Sequence, residues 1–149
     1  MVLCQVWNGK AFTFPSGKIN QGEQAAEAAA RETYEETGFD PHCNFGEASA
    51  LKQAGKCTWR NPLREKDALH YQEQGGKSRT NYVCRGVPED FPFCPVARKE
   101  VSTIGWYALD QIPKPSFAVL PFISQLNRWI KRNNKGNNSN ARQTPKRRD

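Results

Sequence analysis

The chain has 149 residues, 37% hydrophobic and 25% charged, enough for one domain around a single core. No apolar run approaches the roughly 20 residues that span a bilayer, and the start is not built like a signal peptide, which argues against membrane-spanning and secreted classes. The formal net charge of +7 sits mostly in the last stretch, where Lys131, Arg132, Lys135, Arg142, Lys146, Arg147 and Arg148 face Asp149 alone.

In chain order, residues 2–7 read as a strand, Asn8-Gly9 as a tight turn, and residues 10–14 as its partner strand, broken by Pro15-Ser16-Gly17. Asn20 with Glu23 three positions on predicts a capping box, opening a helix over Gln24 to Thr37 that Gly38 stops. The polar stretch 52–79 reads mostly as a long loop or irregular hairpin, flanked by strands at Ala48–Lys52 and Thr80–Arg85. A Pro-rich connection, Gly86 to Pro95, leads to a strand over Val101–Leu109. Residues 117–132 predict an amphipathic helix with Leu120, Ile123, Leu126 and Ile130 on its apolar face and Pro121 either in its first turn or at a kink. The domain is expected to span 1–132, with 133–149 a basic, Asn-rich disordered tail.

The five cysteines (Cys4, Cys43, Cys57, Cys84, Cys94) are odd in number and contain no C-x-x-C pair. Reduced thiols in a cytosolic protein are the expectation; a zinc site with His42 or His70 is weakly supported.

The first helix carries the chemistry. Glu35 and Glu36 follow Glu32 at i+3 and i+4, so three carboxylates point to one face with Arg31 as the nearby cation. Taken alone, such a face is more often a solvated one than a metal site. A hard divalent ion, Mg²⁺ or Mn²⁺, is nevertheless the natural compensating charge for clustered carboxylates.

The frame around those glutamates weighs in favour of the ion. Gly17, Glu23, Arg31-Glu32, Glu35-Glu36 and Gly38-Phe39 match the spacing G-x5-E-x7-R-E-U-x-E-E-x-G-U, with Thr33 standing where an aliphatic residue is usual. The chain thereby resembles the Nudix hydrolases. The resemblance implies an α/β (α+β) Nudix fold, a mixed sheet between helices, with that sheet's first strand expected to be missing. It implies Glu32, Glu35, Glu36 and the Gly17 loop as the metal site, and Glu23 with Arg31 as the brace between loop and helix.

Flanking residues narrow the likeness. Phe14-Pro15-Ser16-Gly17-Lys18-Ile19, Tyr34 to Asp40, Arg98-Lys99-Glu100-Val101 and Pro121-Phe122-Ile123 with Leu126 and Trp129 resemble the catalytic subunit of the eukaryotic mRNA-decapping enzyme. That likeness implies Glu100 as a general base or fourth carboxylate on a flexible loop, catalytic together with Glu35 and Glu36. Lys18 becomes a phosphate contact, and Arg128, Lys131 and Arg132 an RNA-tracking stripe. Trp129 is expected in the core or a groove wall. The implied reaction releases 7-methyl-GDP from capped RNA during mRNA turnover, in the cytoplasm and its processing bodies. Another Nudix pyrophosphohydrolase, or an RNA-binding module without catalysis, are the competing readings.

Three departures stand against that likeness. Ser16 replaces a basic residue, the 52–79 segment is longer, and the N-terminal helical domain that docks an activator subunit is not expected in this chain.

Overall fold

The computed structural model describes residues 1–41, 63–97 and 100–140. The expected strand Ala48–Lys52, together with His42, Cys43, Cys57 and the residues beyond Asn140, lies outside them. The described elements are β1 (Val2–Val6), β2 (Phe12–Thr13), α1 (Ala25–Thr37), a 3₁₀ turn (Glu65–Asp67), β3 (Ala68–Gln72), β4 (Ser78–Tyr82), β5 (Val101–Trp106) and α2 (Leu120–Asn140). β1 lies between β2 and β5 in one sheet, and β3 pairs with β4 in a second; all of these pairings are antiparallel. The class is α+β.

α1 forms because its sequence is dominated by alanine and glutamate, both good helix formers, with no β-branched residue until Thr33. Its N-cap is Gln24, one turn later than predicted: the Gln24 N–H donates to the Glu27 carboxylate at 3.3 Å. The Asn20–Glu23 pair exists, but as a separate turn, with the Asn20 N–H donating to Glu23 at 3.1 Å. That turn leaves Glu23 outside the helix, free to reach back onto Arg31. At the other end Gly38 adopts φ 75° and closes the helix through its N–H to the Tyr34 carbonyl.

The stretch expected as a long loop or irregular hairpin is, from Ala68 onward, a regular hairpin. Both Gly75 (φ 100°) and Gly76 (φ 88°) take the backbone through the left-handed region, and the Glu73 N–H closes the turn on the Lys77 carbonyl at 2.7 Å. The hairpin packs against α1 through β4 and against α2 through β3.

Leu69, Phe122 and Trp129 form the buried cluster, with Phe14, Val83, Leu126 and Ile130 packed against it. Burying a side chain the size of Phe122 contributes about 1.5–3 kcal/mol. The inward face of α2 holds Leu126, Ile130 and Trp129 as expected, but adds Phe122 and leaves Leu120 54% exposed. α2 also continues through Asn140, where a disordered tail was expected. Asn133 helps carry it onward, donating to the Trp129 carbonyl at 2.8 Å and accepting from Arg85.

Candidate active site

The site is organised by one guanidinium. From α1, Arg31 donates through Nε and Nη2 to the two oxygens of Glu23 (2.8 and 3.0 Å) and through Nη2 to the Lys18 carbonyl (2.9 Å). Its Nη1 reaches Glu32 at 2.8 Å and Glu35 at 3.4 Å. All five donors of the fork are spent, so the loop after Pro15 is fastened to the helix at a fixed distance. Lysine has neither the number nor the planarity of donors to replace it. The Arg31 bonds, followed by the Asn20 N–H, hold the Glu23 carboxyl at about 2.

Beside that brace, one carboxylate oxygen from each of Glu32, Glu36 and Glu100 lies within 4.8 Å of the others. Glu36 is half-buried and receives the Ser16 N–H at 3.1 Å. Burial first, then the charges of Glu32, Glu100 and Glu35, push its carboxyl up to about 7 despite that donor. Beneath it the Cys4 thiol, 1% exposed, is raised to about 12 by burial and by Glu36, so it stays neutral. Gly17 gives the cluster room, because any Cβ there would collide with the Glu32 carboxyl.

This donor set fits a hard divalent cation. Three carboxylates converge, one of Glu32's oxygens is already taken by Arg31, and the surplus charge shows in the raised Glu36. Residues 2–129 match the family described as NUDIX domain. The chain belongs to the Nudix family. It is 37% identical over 131 residues to the m7GpppN-mRNA hydrolase dcap-2 of Caenorhabditis elegans, covering 87% of this chain and 14% of that protein. With the mRNA decapping complex subunit 2 of Schizosaccharomyces pombe it shares 31% over 150 residues, 93% of this chain and 18% of the relative. With the mRNA-decapping enzyme subunit 2 of Arabidopsis thaliana it shares 30% over 142 residues, 87% and 33%. The chain thus spans a third or less of the length of these relatives.

Not every residue of the Nudix signature enters the cluster. The Glu35 carboxylate turns to Arg31, while its backbone carbonyl accepts the N–H groups of Val96 (2.8 Å) and Ala97 (3.0 Å). With the Cys94 N–H on the Thr37 carbonyl (3.0 Å), these bonds strap the segment before Glu100 to the end of α1. Gly38 is required for this docking as well as for its φ: a Cβ there would lie 2.7 Å from the Cys94 carbonyl oxygen. Glu100, expected on a flexible loop, is anchored at its own carbonyl by the Trp7 N–H at 3.1 Å.

Lys18 is exposed on the braced loop. Arg128, Lys131 and Arg132 are exposed on α2, away from the carboxylate cluster in sequence and element. Arg132 joins Arg64, Lys66 and Arg85 around a groove of about 230 Å³ beside Trp129. Trp129 is 8% exposed; its Nε1–H donates to Asp67 at 3.1 Å and Arg85 stacks 4.6 Å from its ring. Sequence reasoning missed Trp7, the Ser16 N–H, Cys4, Asp67 and Arg85. For Trp7 the Asn8-Gly9 turn was a usable signal; the others depend on which distant segments meet.

Proposed function

We propose that this Nudix chain is a metal-dependent mRNA-decapping hydrolase, cleaving the 5′ cap triphosphate bridge to 7-methyl-GDP and 5′-monophosphate RNA. The observation that carries the proposal is the meeting of Glu32, Glu36 and Glu100 at one point, in a chain similar to decapping enzymes across most of its length. Glu32 and Glu36 from α1 and Glu100 from the entrance of β5 would hold Mg²⁺ or Mn²⁺, with Glu35 and the Gly17 loop bordering the site. A bound divalent ion supplies stabilisation of the charge that builds on phosphoryl oxygens.

The chain's own groups do the rest. Glu100, exposed at the rim, is placed to accept a proton from the attacking water. Arg31 fixes the Lys18 carbonyl against the helix, and the exposed Lys18 side chain on that braced loop would contact substrate phosphate. The basic groove and the exposed Arg128, Lys131 and Arg132 on α2 give an RNA body a surface to follow, as phosphate neutralisation favours. A decapping activator subunit is a further partner that this reading would admit.

The test is incubation with RNA labelled in the cap phosphates, in Mg²⁺ or Mn²⁺. Labelled 7-methyl-GDP with 5′-monophosphate RNA is the expected result. Consumption of free cap dinucleotide or small polyphosphates, with long capped RNA untouched, would overturn decapping and leave another Nudix pyrophosphohydrolase.

A further inference from the structure

Glu100 is the one carboxylate of the cluster that α1 does not supply, so something else must set where it stands. It is exposed and faces two like charges, Glu32 and Glu36, which repel it. Its backbone carbonyl is fixed by the N–H of Trp7, the first residue beyond β1.

Two local features aim that N–H. The β1–β5 ladder shifts register where Gln5 pairs with Thr103 but Val6 pairs with Val101, so Ser102 is the extra residue of a bulge. Ser102 Oγ donates back to the Gln5 carbonyl at 3.4 Å, tying the bulge to β1. On the other side of Trp7 the chain turns at once. Asn8 takes φ 55°, the Gly9 N–H donates to the Val6 carbonyl at 3.1 Å, and the Val6 N–H to Ala11 at 3.0 Å. Asparagine is among the few side chains that adopt this region readily.

We propose that the exit of β1 is a positioning element for Glu100, and that the Trp7 N–H is the contact through which it acts. The inference rests on the role given to Glu100 above. It needs no contact from the indole, so the main chain and the side chain of Trp7 can be separated by experiment.

Trp7→Pro deletes the N–H and follows the extended Val6, a residue that tolerates a succeeding proline. Trp7→Ala keeps the N–H. Both are measured for kcat and KM on capped RNA and for Mn²⁺ affinity by spin-resonance titration, in the parent and in Glu100→Gln. Trp7→Pro is expected to lower kcat by about tenfold or more, with little change in KM, and to weaken Mn²⁺ binding. Trp7→Ala should keep the parent's values, and Trp7→Pro should add nothing in the Glu100→Gln background.

The proposal is overturned by an equal loss in the Glu100→Gln background, by a Trp7→Ala as damaged as Trp7→Pro, or by a Trp7→Pro with parental kcat and Mn²⁺ affinity. If Trp7→Pro does not fold, Asn8→Val strains the same turn and Asn8→Gly is its rescue, scored by the same criteria. If the parent leaves capped RNA intact, the decapping reading alone fails, and the Mn²⁺ titrations still decide the positioning.

Discussion

Two acids, the half-buried Glu36 on α1 and the buried Asp67 beside α2, meet opposite treatment. Burial would raise Asp67, but the Trp129 indole N–H and the Arg64 guanidinium, 2.8 Å away, hold its carboxyl below its ordinary value. Glu36 has one backbone donor and the charges of Glu32, Glu100 and Glu35 around it, and stands at about 7. The α2 side is complete in its own partners. The α1 side carries charge that its own partners do not neutralise, and a cation at the proposed site would neutralise it. The contrast separates a fully partnered acid from a cluster suited to a ligand.

Breaking the acidic cluster has the largest expected effect. Glu36→Gln should lower hydrolysis by more than about 100-fold, beyond what loss of an outer-shell partner costs a metal site. It should also stabilise the metal-free fold. The folded carboxyl titrates near 7 against an ordinary value of 4.5, so the stability linked to its proton is complete below 4.5 and lost as pH rises through 7. Glutamine keeps an acceptor for the Ser16 N–H without that loss. Thermal melts in chelator should therefore give Glu36→Gln an advantage of about 1 kcal/mol at pH 8, discounted for solvent screening, and none at pH 4.5. A Glu36→Gln that melts no higher than the parent at pH 8 would remove the claim of uncompensated charge.

The two sides also differ in how far they were legible. α1 and the convergence of Glu32 and Glu36 could be read directly from i, i+4 spacing, but the same spacing placed Glu35 with them, and its carboxylate turns to Arg31 instead. The capping box was misplaced by one turn because Asn20 and Glu23 do bond to each other, but in a turn before the helix. The β3–β4 hairpin was obscured because only Leu69 among its strand residues is buried, so the expected alternation is missing. Gly75-Gly76 was the remaining signal. On α2 the stripe of Leu120, Ile123, Leu126 and Ile130 omitted Phe122 and misplaced Leu120, while Trp129, expected in the core or a groove wall, is rotated inward. That rotation is favoured by a buried acceptor, Asp67, which arrives from a segment 62 positions away. The partner of Glu100 is a backbone group of a distant turn, for which the Asn8-Gly9 pair was the one local sign.

Breaking the α2 side should cost stability and leave the metal site alone. Asp67→Ala leaves the buried Trp129 N–H without its acceptor and frees the exposed Arg64 guanidinium, and stranding a buried donor costs about 1–3 kcal/mol. Urea unfolding measures this, and Mn²⁺ affinity of the folded variant should equal the parent's. Asp67→Asn keeps an acceptor for the indole and should fall between the two. Because the carboxyl is held low, the parent's share of this stability is present above the ordinary value of 3.8 and is lost as pH falls below it. A metal affinity that fell with Asp67→Ala would mean that the two sides are not independent.

The smallest effect asks which cations of the α2 side are free to bind a polyanion. Arg64 is committed to Asp67, and Arg85 lies on the Trp129 ring and donates to Asn133. Arg132 lines the same groove with no such partner among the described residues, and Lys131 beside it is exposed. If RNA follows this surface, Arg132→Ala should lower the slope of log affinity against log salt by about 0.7, the release expected for one single-strand phosphate contact. Arg64→Ala should change the slope less while costing more stability, since its charge is already neutralised by Asp67. Filter binding over a salt series distinguishes them, and equal slopes for both variants would show that the groove's ion pair opens to bind RNA.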